Sequence, residues 1–148
     1  QTRQNWYRLD EQIRQSIVMM EPKWSEKEIE FDVDMMDVEY LGNENLICHV
    51  WDNLLSNAIK FSPCGGTIYI RMMPEGEKIR FSIENEGPQI SEYSMKHIFD
   101  KFYQGDSSHK QEGNGLGLAL VKQILNLCMG TVSVENIPGS GCRFTVIL

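Results

Sequence analysis

Residues 44–60 read Glu-Asn-Leu-Ile-Cys-His-Val-Trp-Asp-Asn-Leu-Leu-Ser-Asn-Ala-Ile-Lys, and their spacing decides the fold. Leu46/Ile47, Val50/Trp51, Leu54/Leu55 and Ala58/Ile59 recur every four residues along one face, the pattern of an amphipathic helix. Pro63, Gly65 and Gly66 close it. Opposite the apolar face stand Asn53, Asn57 and Lys60. At about 100° per residue, Asn57 falls about 40° to one side of Asn53 and Lys60 about 20° to the other. Three polar groups then point at one spot. Amide oxygens suit Mg²⁺, a hard cation that seeks oxygen, and an ammonium suits a phosphate oxygen as a point charge. A solvated helix face has the same spacing, so the stripe alone leaves both readings open.

Working outward, residues 67–73 and 78–84 alternate apolar and polar side chains around Pro74-Glu75-Gly76-Glu77, which predicts a hairpin. Upstream, Leu9, Ile13, Ile17 and Met20 predict a helix over 7–20 closed by Pro22. Ile29, Phe31 and Val33 predict a half-buried strand. Downstream, residues 116–129 form a second strongly apolar helix. Residues 131–136 and 142–148 form a last hairpin through Ile137-Pro138-Gly139-Ser140-Gly141. Hairpins with long helices laid over one face make an α+β two-layer sandwich. Between these elements, residues 85–115 show little periodicity. An aperiodic run of about 30 residues inside a compact domain is more often a functional lid than filler.

Gly113-Asn114-Gly115-Leu116-Gly117 opens the second apolar helix. Glycines let backbone N–H groups approach an anion, and a helix N-terminus favours negative charge, so a phosphate cradle and a plain flexible loop both fit. It is not a Walker A loop, because no Gly-Lys-Ser/Thr follows, and no strand precedes it as a dinucleotide fingerprint requires. Asn85-Glu86-Gly87-Pro88-Gln89-Ile90 follows a strand, where a turn commonly presents a ligand-facing polar side chain; alone it is only a turn. Phe99 and Phe102 are three apart, a spacing more typical of core packing.

The 148 residues suit one domain. Fourteen Lys and Arg against twenty-one Asp and Glu leave a net charge of −7, a poor match for a nucleic-acid backbone. No run approaches the roughly 20 apolar residues of a membrane span. Cys48, Cys64, Cys128 and Cys142 lack C-x-x-C spacing, which predicts four free buried thiols, and His49, His97 and His109 are not placed to complete a zinc site. A chain opening on Gln1 is expected to be a fragment or a processed product.

The order of these pieces is more specific than any one of them. A helix with Asn53-Leu54-Leu55-Ser56-Asn57-Ala58-Ile59-Lys60-Phe61 is followed by a hairpin. Then come Gly87-Pro88-Gln89-Ile90, Ile98-Phe99-Asp100-Lys101-Phe102 and Gly113-Asn114-Gly115-Leu116-Gly117-Leu118. This closely resembles the ATP-binding catalytic domain (HATPase_c, GHKL type) of bacterial sensor histidine kinases. The wider fold is shared with gyrase, heat-shock chaperone and mismatch-repair ATPases. The resemblance implies a Bergerat-type sandwich, with a mixed sheet and helices on one face, over residues 7–148. Residues 1–6 would end a preceding linker, and an ATP lid would span about 97–114.

By that resemblance Asn57 is the Mg²⁺ ligand, Asn53 assists at the metal and phosphates, and Lys60 contacts phosphate, with Phe61 ending this N box. Asn85, Gly87 and Ile90 form the G1 box that holds adenine. Phe99 and Phe102 form the F box at the base of the lid, and Gly113, Asn114, Gly115, Leu116 and Gly117 the G2 box around the phosphates. Two departures stand out. The family usually has Asp at position 85 and commonly Gly at position 89, so Asn85 accepts the adenine amino hydrogen without charge assistance and Gln89 crowds the base or restrains the turn. An amide acceptor costs about 1 kcal/mol against a carboxylate.

The resemblance implies a protein-histidine kinase fragment in two-component signalling. It would bind MgATP and pass the γ-phosphoryl group to a histidine on a dimerisation domain outside this chain. None of His49, His97 or His109 has the acceptor's setting, so the fragment is expected not to phosphorylate itself. The implied partners are that dimerisation domain and a response regulator, with no nucleic acid. The full protein would be homodimeric and membrane-attached, with this domain cytoplasmic. Two alternatives remain at this point: an interaction module with a decayed nucleotide site, and a serine kinase of the anti-sigma-factor type.

Overall fold

The structure, a computed structural model, describes residues 3–103 and 116–148. In chain order it contains β1 (Asn5–Arg8), α1 (Leu9–Met19), α2 (Glu21–Glu26), β2 (Glu30–Met35), β3 (Glu39–Gly42), α3 (Glu44–Phe61), β4 (Thr67–Glu75) and β5 (Lys78–Glu86). These are followed by α4 (Glu92–His97), α5 (Gly117–Leu127), β6 (Thr131–Asn136) and β7 (Gly141–Ile147). Five strands form one mixed sheet in the order β2-β4-β5-β7-β6, and β1 pairs with β3 in a separate two-stranded sheet. Among the described strands only the β2–β4 pair is parallel. This is the expected α+β two-layer sandwich.

Side-chain alternation builds the layers. Ile70, Ile83 and Phe144 lie side by side across three strands, as do Met72, Phe81 and Val146, and all six are buried. Onto this face α3 lays Ile47, Val50, Trp51, Leu54, Leu55, Ala58 and Ile59, all buried. Each fully buried Leu or Ile contributes about 1.5–3 kcal/mol gross. Trp51 meets Phe81 at 4.7 Å between ring centroids, and its indole N–H donates to Gln12 Oε1 on α1 at 2.7 Å, so the largest core side chain carries no unpaired donor.

Both ends of α3 are capped. Asn43 Oδ1 accepts from the Leu46 N–H at 3.0 Å. The Lys27 ammonium donates to the Ile59 and Lys60 carbonyls at 2.7 and 3.1 Å, a cation on the negative end of the helix. A second anchor is Asp10, fully buried at the start of α1. It binds Arg8 and Arg14 at 2.7 Å and accepts from the Val38 N–H at 3.1 Å. The Arg8 hydrogen bond, helped by Val38 and Arg14, holds its carboxyl well below the usual range against the opposing effect of burial.

The sequence reading needs several corrections. The first helix runs from Leu9 to Met19 rather than 7–20, because residues 5–8 pair with β3. Pro22 does not only close a helix, since it sits in the first turn of α2, where its missing N–H costs nothing. β2 is an edge strand, so Val33 is exposed. The aperiodic stretch contains the end of β5 and a short helix, α4, capped by Ser91 Oγ on the Ser94 N–H. All four cysteines are free, but only Cys142 is buried, and Cys64 lies exposed in the turn after α3.

Candidate functional site

The last three turns of α3 carry Asn53, Asn57 and Lys60, all half-buried. Asn53 Nδ2 donates to the His49 carbonyl one turn back, at 2.7 Å, which turns its oxygen the other way. That oxygen faces Gly117, the first residue of α5. A Cβ on Gly117 would stand 2.8 Å from Asn53 Oδ1, so a side chain there would push the Asn53 amide aside. The contact joins the polar stripe to the start of a second helix. Leu116 itself supplies no capping side chain at the start of α5, and the positive end of a helix favours an anion.

A second close approach joins α3 to the end of β5. Gly87 has φ +134°, and a Cβ there would lie 2.6 Å from the Phe61 carbonyl oxygen. Lys60 Nζ sits 5.1 Å from the centre of the Phe61 ring. Gly141, at the start of β7, lies against the Asn85 carbonyl and the Gly87 N–H; a side chain there would collide with main chain. Asn85 itself is buried, its Nδ2 donating to the Glu86 carbonyl at 2.9 Å. Ile90 is held by Asn136, which accepts from its N–H and donates to its carbonyl, both at 2.8 Å. Gln89 reaches across to the Ile137 carbonyl at 3.1 Å, so it restrains the turn against the β6–β7 loop.

The two phenylalanines separate. Phe99 packs edge-on against Phe144 at 6.1 Å in the core, whereas Phe102 is 67% exposed with φ +66°. Around them Tyr103 and Ser94 hydroxyls lie 2.6 Å apart, and His97 pairs with Asp100 at 2.8 Å. Gly113, Asn114 and Gly115, and the part of the expected lid beyond residue 103, lie outside the described residues. Asp52 accepts from Ser16 Oγ at 2.8 Å and so ties α1 to α3.

The sequence reading missed Lys27, Asn136, Gly141 and Cys142. Only Asn136 and Gly141 had a sequence signal, as polar and Gly-rich punctuation around the last turn. A shallow groove of about 410 Å³ lies elsewhere, on the outer face of the sheet, where Arg71, Arg80 and Arg143 already hold carboxylates.

The donor set fits a metal-bound nucleotide. Two amide side chains and an ammonium share a flank with the start of α5, two glycines stand at the close approaches, and a buried amide lies at the end of β5. Among the described residues no group of three or more Asp, Glu, His or Cys side chains could hold a metal ion, and amides with an ammonium suit a cation that arrives already bound to phosphates.

Comparison with known proteins identifies the family. The family model for histidine kinase-, DNA gyrase B-, and HSP90-like ATPases matches residues 42–148. The heme sensor protein HssS of Staphylococcus saprophyticus is 34% identical over 122 residues, 82% of this chain and 26% of that protein. This chain therefore spans about a quarter of that relative's length. Among solved structures, a mycobacterial sensor histidine kinase, MprB, superposes with a TM-score of 0.90 at 27% identity, covering 97% of each chain. The nucleotide-free catalytic domain of the histidine kinase ThkA gives 0.88 at 27% identity, covering 99% of this chain and 95% of that one. ThkA is also known in complex with the response regulator TrrA, where the match has a TM-score of 0.82 at 26% identity and covers 98% of this chain and 41% of that one. The chain belongs to the histidine kinase-, DNA gyrase B- and HSP90-like ATPase family, and within it to the ATP-binding catalytic domains of sensor histidine kinases.

Proposed function

We propose that this domain binds MgATP and supplies the γ-phosphoryl group to a histidine on a dimerisation domain outside the chain, as the kinase unit of a two-component system. The observation that carries the proposal is the seating of Gly117 on the Asn53 oxygen, because it brings the polar flank of α3 and the positive end of α5 to one place. Asn57, with Asn53 assisting, would hold Mg²⁺; Lys60 would hold a phosphate oxygen. Gly113, Asn114, Gly115, Leu116 and Gly117 would line the phosphates. Phe61, Asn85, Gly87 and Ile90 would line the base, with Phe99 and Phe102 at the root of a lid over about 97–114. Residues 7–148 would form this domain and 1–6 the end of a linker.

When bound, MgATP supplies the phosphoryl group and a divalent cation that neutralises its charge. The chain's own contribution is position and electrostatics, which carry most of phosphoryl transfer. Lys60 brings a fixed positive charge beside the phosphate seat, and α5 adds its dipole. Asn53 cannot take a proton from water. Its nitrogen is committed to the His49 carbonyl and its oxygen belongs to a neutral amide, which suits a kinase that avoids hydrolysis. Proposed partners are the dimerisation domain and a response regulator, as the ThkA–TrrA complex supports by analogy. The proposed setting is the cytoplasmic part of a homodimeric, membrane-attached sensor. Among the described residues no helix is long and apolar enough to cross a membrane.

The test is transfer of labelled γ-phosphate from MgATP to the dimerisation domain of the same full-length protein. Label on its histidine that requires Asn57 supports the proposal; ATP binding without transfer rejects the kinase role.

A further inference from the structure

Two lysines meet at the end of α3. Lys60 lies on its last turn, and Lys27 comes to the same place from the turn between α2 and β2. The last carbonyls of a helix have no helical donor, and the sequence makes this end harder to close. The backbone of Ser62 is extended, and its N–H donates to Ala58 at 3.0 Å. The Ile59 carbonyl would next take the N–H of Pro63, which has none. The Phe61 carbonyl lies against Gly87. The half-buried Lys27 ammonium serves the two that remain, Ile59 at 2.7 Å and Lys60 at 3.1 Å. The turn that delivers it is tightly held. Lys27 ends α2, and its own carbonyl accepts from the Gly65 N–H at 2.8 Å, so its main chain and side chain both grip the segment that leaves α3. Glu28, the next residue, has φ +55°, a left-handed conformation that a residue with a side chain rarely adopts. It is over-determined by its surroundings: the Glu28 N–H donates to Ser25, that of Ile29 to Trp24 and that of Glu30 to Gly66, each at 3.0 Å.

We propose that Lys27 is a positioning residue for phosphate binding: by closing the Ile59 and Lys60 carbonyls it fixes the last turn of α3, and with it the place from which the Lys60 ammonium reaches the phosphates of a nucleotide. This rests on the nucleotide reading above. Lys27 acts on the main chain of Lys60 and not on its ammonium. Without that grip the last turn frays, and a ligand that uses Lys60 must order it on binding, which lowers affinity. The loss is then limited to what Lys60 contributes, whereas a long-range effect of the Lys27 charge acts whether or not Lys60 is present.

A double-mutant cycle read by calorimetric titration with MgATP tests this. Lys27→Met keeps the apolar stem, removes the donors and is expected to weaken binding about fivefold. Lys60→Ala weakens it about tenfold, and the double variant binds no more weakly than Lys60→Ala alone. Lys27→Arg keeps both charge and donors and restores affinity to within about twofold of wild type. Amide hydrogen exchange reads the turn itself: in Lys27→Met the Ser62 N–H exchanges about tenfold faster, while those of Leu54 and Leu55 keep their rates. Circular dichroism establishes that each variant is folded, and if Lys27→Met is not, Lys27→Gln, with a neutral donor on a shorter stem, takes its place. Unchanged MgATP affinity in Lys27→Met overturns the proposal, as does a further fivefold loss in the double variant. If Lys60→Ala leaves too little binding to measure, the Ser62 exchange decides, and an unchanged rate overturns the proposal. These results leave the nucleotide reading intact. If the wild type does not bind MgATP at millimolar concentration, or Lys60→Ala binds it as wild type does, that reading itself fails.

Discussion

Asn85→Asp separates stability from affinity. The family's usual residue at this position is Asp, and from sequence alone the change should tighten ATP binding. The structure adds an opposing cost. The Asn85 amide donates to the Glu86 carbonyl inside a site that is almost fully buried, and an ionised carboxyl has no proton to donate. Losing that bond and facing oxygen with oxygen costs about 1–3 kcal/mol, with burial of the charge added to it. Burial raises the introduced group's folded pKa above its unfolded value of about 3.9. The folded state then holds the proton to higher pH than the unfolded state does. Stability relative to wild type is best below about pH 4, where the protonated carboxyl can donate to Glu86, and falls as pH rises until the folded group ionises as well. We expect a deficit of at most about 1 kcal/mol near pH 4.5 and about 3 kcal/mol at pH 8. In the folded variant at pH 8, ATP should bind several-fold more tightly, about 1 kcal/mol, through a charge-assisted bond. Urea unfolding of both proteins at pH 4.5, 6 and 8, paired with ATP calorimetry, measures the two effects. A deficit that is absent, or the same at every pH, would refute the amide orientation described here.

Other outcomes follow from the same geometry. Asn57→Ala should abolish Mg²⁺-dependent ATP binding and leave the circular dichroism spectrum unchanged, because the side chain lies outside the core face of α3. Gly117→Ala should hold or raise thermal stability through helix propensity, worth about 1 kcal/mol, yet weaken ATP binding about tenfold because the new methyl displaces Asn53. Phe99→Ala should cost about 2–3 kcal/mol in urea unfolding, whereas Phe102→Ala should stay within about 0.5 kcal/mol, since only Phe99 packs on Phe144. Asp10→Ala should cost about 3 kcal/mol at neutral pH by orphaning its arginines and the Val38 N–H. Because the folded pKa of Asp10 is depressed, its contribution is complete above about pH 4 and is lost as pH falls further. The gap between variant and wild type should therefore shrink in acid unfolding curves.

Much of this domain was legible in its sequence. The four-residue step from Leu46 to Ile59 and the alternation in both hairpins are local periodicities, set by backbone geometry and the burial of one face. The polar stripe of Asn53, Asn57 and Lys60 follows from the same helical repeat. What periodicity could not show was cross-chain distance. Nothing in the spacing tells that Gly117 rests on Asn53, that Gly87 rests on Phe61, or that Phe99 turns into the core while Phe102, three residues on, turns out. β1 and β3 are too short to carry a pattern and exist because they pair with each other. Asn85 and Cys142 lie 57 positions apart and become neighbours only through the β5–β7 register. The kind of side chain brought to the site was a property of the sequence; the direction in which its amide points was decided by partners that only folding brings within reach.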